Sequence, residues 1–191
     1  INQTFADYEV LIIDDGSSDN SREIIEEYNS LPNFKIIFQK NKGLIVSNNI
    51  ALRIARGKYI IRLDADDYLD KNALAIMKSE LENDNQLGLV FPNYFVVDEE
   101  NNILSYRKRL NTDDNNVLDN PAHGACTLIR KKFLESIGGY DESFNCQDGY
   151  FLWINFISKY KVKNIDTPLF YYRQHGSNLT QDVERILKTR S

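Results

Sequence analysis

A chain of 191 residues with 42% hydrophobic and 27% charged side chains fits one soluble globular domain with a substantial core. Its net charge of −5 argues against a protein that works by presenting a basic surface to nucleic acid. No apolar run approaches the roughly 20 residues of a membrane span and no signal peptide is visible, so membrane association is not indicated. Cys126 and Cys146 have no metal-ligand spacing, which fits free thiols in a reducing, cytoplasmic setting.

Tyr8 to Ile13 reads as a buried strand, stopped by the turn formers Asp14-Asp15-Gly16-Ser17-Ser18-Asp19-Asn20. Asn20, with Glu23 three residues on, gives a capping pattern for a helix over about Ser21 to Asn29. Pro32-Asn33 breaks the chain, and Phe34 to Phe38 is a second strand. Leu44 to Arg56 places Leu44, Asn48, Ala51, Leu52 and Ala55 on one helical face, with Gly57 as the stop. Tyr59 to Leu63 predicts an interior strand, followed by a helix over about Lys71 to Glu82 and a strand over Leu87 to Phe91. This alternation predicts an α/β fold with a mostly parallel sheet and helices on its faces.

The second half is less regular. Tyr94 to Asp98 and Ile103 to Arg109 flank a polar Glu99-Glu100-Asn101-Asn102 turn and predict a hairpin. Thr112 to Asn120 reads as a loop, Cys126 to Ile129 as a strand, and Lys131 to Ile137 as a short helix ended by Gly138-Gly139. Gln147 to Lys159 predicts a helix with Leu152, Phe156 and Ile157 inward, and Leu169 to Arg173 a late strand. No repeat or linker divides the chain, so residues 1–191 are read as a single domain.

The chemistry concentrates where the strand from Tyr59 runs into Asp64-Ala65-Asp66-Asp67. Open α/β sheets place ligands at the carboxyl ends of their strands. Carboxylates this close repel one another unless a cation sits between them, and the hard ions Mg²⁺ and Mn²⁺ prefer such ligands. Asp67 and Asp70 read as solvated turn residues that cap the next helix, and Asp14 and Asp19 as turn chemistry.

The ordered set Gln3-Thr4-Phe5-Ala6-Asp7-Tyr8-Glu9-Val10-Leu11-Ile12-Ile13-Asp14-Asp15-Gly16-Ser17-Ser18-Asp19, Asn41-Lys42-Gly43, Ala55-Arg56-Gly57-Lys58-Tyr59-Ile60, Leu63-Asp64-Ala65-Asp66-Asp67, Gly138-Gly139-Tyr140-Asp141-Glu142-Ser143-Phe144 and Tyr172-Arg173-Gln174-His175 closely resembles the family two glycosyltransferases of GT-A fold. The resemblance implies a nucleotide-binding half over residues 1–92 and a smaller, irregular acceptor-side half over 93–191. It also implies inverting transfer from a nucleoside-diphosphate sugar, UDP- or dTDP-linked, to a glycan, lipid-linked or other hydroxyl acceptor. A divalent cation, Mn²⁺ or Mg²⁺, would assist, and the enzyme would be cytoplasmic, at most peripheral to the inner membrane face.

Residue by residue, Asp15 matches the aspartate that hydrogen-bonds the base, and Asp64 the residue that meets the ribose or the metal shell. Gly124 falls in the loop beside the donor sugar, Asp66 resembles the direct metal ligand, and His175 the histidine that reaches metal or diphosphate. Asp148 matches the general base, and His123 stays unassigned. Three departures, and one absence that bears on processivity, accompany the match. Asn48 stands where the family carries an arginine, leaving Lys40, Lys42 or Arg53 as substitutes. Gln147 replaces the acidic residue that commonly precedes the base. The family's first strand is expected ahead of Ile1. No Gln-x-x-Arg-Trp stretch is present, which favours transfer of single sugars. The alternative reading is a non-catalytic nucleotide-sugar-binding module of a larger assembly. A phosphotransfer domain explains the paired aspartates but neither Asp148 nor His175.

Overall fold

The computed structural model describes residues 2–109, 124–143 and 148–176, the side chains of residues 148–151 excepted. The first two strands, β1 (Val10–Asp14) and β2 (Phe34–Phe38), pair in parallel as a small sheet. Between them α1 (Ser21–Glu26) runs on into a 3₁₀ turn over Glu27–Ser30. The expected Asn20 cap makes no side-chain hydrogen bond to the helix. Instead the Ser21 amide donates to Asp19 Oδ1 at 3.0 Å, one residue upstream of the residue the capping pattern singles out.

The rest builds around α2 (Leu44–Ile54), β3 (Tyr59–Ile61), β4 (Tyr68–Leu69), α3 (Ala73–Asn83), β5 (Leu87–Val97), β6 (Ile103–Arg107), β7 (Leu128–Arg130), α4 (Lys131–Ser136), α5 (Asp148–Ile157) and β8 (Lys161–Arg173). The larger sheet has the order β3-β7-β5-β8-β4, with β6 on the same edge of β5 as β7 but nearer its end. It is mixed, and here the expectation of a mostly parallel sheet is corrected. β5 and β8 pair in parallel, whereas β3–β7, β5–β7, β5–β6 and β4–β8 are antiparallel. For β5–β6 the cause is connection length. A parallel neighbour needs a crossover of about a dozen residues or more, and the turn between Val97 and Ile103 gives only a hairpin return. Strand–helix alternation in the first half carries no information about such returns.

Two expected strands, Leu87 to Phe91 and Tyr94 to Asp98, are one strand. β5 continues through Pro92 by shifting its register against β8 between Pro92 and Asn93 and again between Asn93 and Tyr94. β8 is likewise longer than expected, beginning at Lys161. One core layer packs α2, α4 and α5 on the sheet through Leu52, Leu89, Phe91, Ile129, Leu134, Leu152, Trp153, Phe156 and Val162. The other face carries α3, whose Ala73, Met77 and Leu81 meet Leu87, Val90, Leu128, Ile165 and Leu169. On α2, Leu44 is 41% exposed, contrary to its expected inward place, and the buried face includes Asn48 and Asn49. Asn49 clasps the Tyr140 peptide: its Nδ2 donates to the Tyr140 carbonyl at 2.8 Å and its Oδ1 accepts from the Tyr140 amide at 3.0 Å. This ties the Gly138-Gly139-Tyr140 stretch to α2. No helix among the described residues is long and apolar enough to cross a membrane.

Candidate active site

Asp15 follows the last residue of β1. Its Oδ1 accepts from Gln39 Nε2 at 2.7 Å and the Lys42 amide at 2.9 Å, and its Oδ2 from the Gly43 amide at 2.8 Å. Gly43 sits at φ 90°, a conformation open to glycine, and that turn is what presents both amides to one carboxylate. Asp15 therefore orders the Asn41-Lys42-Gly43 loop ahead of α2. Its hydrogen bonds go to that loop and to Gln39, not to the Asp66–His175 pair described below. Asp14 behaves as the turn residue expected: it accepts from the Ser17 amide at 2.8 Å, and the Ser17 hydroxyl and amide hold its carboxyl below the usual range.

After β3, a residue that motif reading passed over comes forward. Arg62 Nε lies 3.0 Å from Asp64 Oδ1, and the pair is largely sheltered from solvent. A Cβ on Gly124 would lie 2.9 Å from the Arg62 guanidinium, so glycine lets the 124 backbone come this close without displacing the end of that side chain. Thus Asp64 and Gly124, both expected at the donor, converge on one arginine. The substitutes expected for the missing cation, Lys40, Lys42 and Arg53, are all exposed, and Asn48 itself is buried. The signal available in the sequence was Arg62 standing two residues ahead of Asp64, a cation on an otherwise apolar strand end.

Asp66 and His175 meet although 109 residues apart, with Asp66 Oδ2 and His175 Nε2 at 2.9 Å. Both side chains are partly open to solvent. Asp66 comes from the β3–β4 loop and His175 from just past β8, so the sheet brings together the two ends that sequence reading expected at the metal.

Asp67 corrects an expectation. It is buried at 8% exposure rather than solvated, and its Oδ1 accepts from the Arg173 amide at 2.8 Å. Burial pushes its carboxyl up to about 7; the Arg173 hydrogen bond works against this, and the Asp66 and Asp64 charges add to it. The sign of the pH effect follows. The unfolded chain loses this proton near the ordinary carboxylate value of 3.8, while the folded chain keeps it to about 7. Between those values the folded state holds the extra proton, and stability falls by up to ~1.4 kcal/mol per pH unit as pH rises. In metal-free buffer, thermal melts from about pH 5 to 7 are expected to show that decline, and Asp67→Asn to flatten it. Parallel curves for the two proteins would refute the assignment. Asp70 turns the chain ahead of α3 but does not cap it as expected: its Oδ1 accepts from the Asn72 amide at 2.8 Å, and the Leu74 amide in the first turn of the helix donates to Gln3 Oε1 at 3.1 Å.

Asp148 is the first residue of α5. Its side chain, and His123, Cys146 and Gln147, lie outside the described residues. Cys126 is a free, buried thiol whose ionisation burial pushes well upward, so it is inert.

Residues 1–138 match the profile of the family described as Glycosyl transferase family 2. The chain belongs to this family. Against the family 2 chain, chondroitin synthase of Escherichia coli is 41% identical over 106 residues, covering 55% of the chain and 16% of the synthase. The E. coli UDP-Glc:alpha-D-GlcNAc-diphosphoundecaprenol beta-1,3-glucosyltransferase WfgD is 25% identical over 190 residues, covering 98% of the chain and 74% of the enzyme. Among solved structures, S. aureus TarS 1-349 in complex with UDP-GlcNAc superposes with a TM-score of 0.78 at 16% identity, over 95% of the family 2 chain and 54% of that one. That likeness carries the fold, and the GT-A α/β architecture expected from the motifs stands. The family 2 chain thus spans a small part of the chondroitin synthase and about half of TarS 1-349.

Proposed function

We propose that this chain carries the donor site and general base of an inverting, metal-dependent glycosyltransferase. The donor is a nucleoside-diphosphate sugar, UDP- or dTDP-linked, and the acceptor a hydroxyl of a glycan or lipid-linked glycan. The observation that carries this reading is the Asp66–His175 pair at 2.9 Å. A divalent ion would be held by Asp66 Oδ2 and His175 Nε2, which the structure already brings together and which would exchange the hydrogen bond between them for the ion. Among the described residues no group of three or more His, Cys, Asp or Glu side chains gathers to hold an ion alone. That agrees with a cation held by one or two protein ligands together with substrate phosphates. When bound, the ion neutralises charge on the departing diphosphate.

The residues of the chain do the rest. Asp15 receives an N–H of the base, and the Lys42-Gly43 loop it orders lies alongside. Asp64, fixed by Arg62, takes the ribose, and Gly124 lets the backbone approach the sugar. Asp148 removes the acceptor hydroxyl proton as that oxygen bonds to the anomeric carbon from the face opposite the phosphate. The bond from the anomeric carbon to the phosphate oxygen breaks, its electron pair leaving with the nucleoside diphosphate, and the configuration inverts. β1 and β3 each have one described ladder partner, β2 and β7. Residues 1–92 make up the nucleotide-binding half and residues 93–191 the acceptor-side half. The reaction belongs at the cytoplasmic side, peripheral to the membrane where the acceptor is lipid-linked. WfgD supports that acceptor class by its name.

The test is release of nucleoside diphosphate from UDP- and dTDP-sugars by the full-length protein, with Mn²⁺ and with chelator. Release that needs Mn²⁺ and acceptor supports the enzyme. Saturable binding without release supports the non-catalytic module. Asp66→Asn is expected to weaken Mn²⁺ uptake in the presence of UDP by about tenfold or more, with the melting temperature nearly unchanged. The amide keeps the shape but not the charge. Equal Mn²⁺ affinity by calorimetry would remove Asp66 from the metal site.

A further inference from the structure

Arg173 is the last residue of β8, and His175 stands two residues beyond it. The final backbone rung is the Gln174 amide to the Val97 carbonyl at 2.9 Å, so the sheet ladder stops one residue short of His175. Asp66 likewise lies in a loop, which turns through an Asp67 amide to Asp64 carbonyl bond at 3.1 Å. A metal pair built from two residues beyond regular structure needs something else to fix it.

Arg173 reaches both sides. Its amide donates to Asp67 Oδ1 at 2.8 Å and its Nε to the Asp66 carbonyl at 2.9 Å. From the other side of the guanidinium, Nη1 donates to the carbonyls of Asp98 at 2.7 Å and Glu99 at 3.0 Å, and Nη2 to Asn101 Oδ1 at 2.8 Å. The ring of Tyr68 lies 5.9 Å from its guanidinium carbon.

The β5–β6 turn that receives the fork is rigid in its own right. Asp98 Oδ1 accepts from the amides of Glu100 at 3.0 Å and Asn102 at 2.8 Å, and Asp98 Oδ2 from Asn102 Nδ2 at 2.9 Å. A planar guanidinium with fixed donor directions can bridge such a turn to the Asp66 peptide; an ammonium, a point charge, cannot hold both ends.

We propose that Arg173 is a positioning residue: its fork locks the Asp66 peptide to the Asp98–Asn102 turn and thereby keeps the Asp66 carboxylate against His175, set to bind a divalent cation together with a nucleoside diphosphate. The inference rests on the metal reading of that pair. Its consequence is that the hairpin turn of the acceptor-side half is wired to the donor site. A change in the turn acts on metal binding without touching the metal ligands.

The test uses the full-length protein, with UDP and Mn²⁺ as probes. Free Mn²⁺ is followed by electron paramagnetic resonance for the parent, Arg173→Lys, Arg173→Gln and Asn101→Gly. Both Arg173 variants are expected to weaken Mn²⁺ uptake by about 10- to 100-fold, the usual size for a lost supporting hydrogen bond at a metal site. Lysine is expected not to rescue. Asn101 has φ 70°, which glycine adopts freely, so Asn101→Gly removes one anchor while leaving the turn intact. It is expected to show a smaller, few-fold loss with a parental melting temperature. A metal-free readout accompanies this: the His175 imidazole NMR signals, assigned by difference from His175→Asn, should move in Arg173→Lys and Asn101→Gly. Parental Mn²⁺ affinity in Arg173→Lys, or in a folded Asn101→Gly, overturns the clamp. Should the parent itself take up no Mn²⁺ with UDP, the metal reading fails. The imidazole signals then decide the clamp: shifted, it stands; unmoved, it falls.

Discussion

Asp148→Asn is expected to lower turnover by about 10² to 10⁴, the usual size of general-base catalysis, while leaving nucleotide affinity near the parental level. In the proposed mechanism the base acts on the acceptor hydroxyl and not on the diphosphate, so its loss would be felt in the transition state and not in donor binding. A purely structural Asp148 makes the opposite prediction. It is the first residue of α5, where a carboxylate is favoured by the helix N-terminus. Asparagine serves at a helix start about as well as aspartate, so a structural residue would lose neither rate nor stability. Turnover at saturating donor, measured beside the melting temperature, separates the two. Parental turnover in the mutant would remove Asp148 from the mechanism.

How far the sequence could be read depends on the range of the interactions that decide each element. β2 was legible to the residue, since an apolar run bounded by Pro32-Asn33 and polar Gln39 needs no distant partner. The Asp98–Asn102 hairpin was legible for the same reason: its turn is held by its own Asp98 carboxylate. β5 reads as two strands in the sequence, and Pro92 between them lacks the amide a ladder needs. Only the partner strand β8 shows how a register shift absorbs it. The buried Asn93 beside it is satisfied by Tyr106, Asp166 and the Arg109 amide, all distant in sequence. The early part of β8 did carry a local signal, exposed Lys161 and Lys163 alternating with buried Val162 and Asn164. Pro168 downstream masked it.

The site divides along the same line. The family resemblance brought Asp66 and His175 into one hypothesis, and the structure places them in contact. Motif spacing said nothing of Arg62 or Arg173, because their partners are a neighbouring carboxylate, a glycine backbone and peptide carbonyls. Backbone carbonyls leave no mark on a sequence. Asp67 was misjudged for a related reason, since three adjacent carboxylates look solvated until a strand more than 100 residues away covers one of them.

The largest stability effect is expected at Arg130. Its guanidinium is buried at 3% exposure and donates to backbone carbonyls: Nε to Leu87 at 2.7 Å, and Nη2 to Leu81 and, at 3.3 Å, to Asp84. Nη1 reaches the Tyr59 hydroxyl at 3.1 Å. Leu81 lies in the last turn of α3 and Asp84 just beyond it, so the cation both satisfies end carbonyls of the helix and sits at the negative end of its dipole. A buried ion pair can often be replaced by apolar residues at little cost, because both charges leave together. Here the acceptors are main-chain carbonyls and remain whatever side chain occupies position 130. Arg130→Met keeps the packing of the stem but strands the Leu81 and Leu87 carbonyls, each worth about 1–3 kcal/mol when buried without a donor, while the Asp84 carbonyl keeps the Leu87 amide at 3.1 Å. The expected loss is about 3–5 kcal/mol by urea denaturation, with the slope of the transition unchanged. Arg130→Lys, which can reach one carbonyl but not span all of them, should fall between parent and Arg130→Met. A parental midpoint in Arg130→Met would mean that water reaches these carbonyls and that the guanidinium does not hold the end of α3.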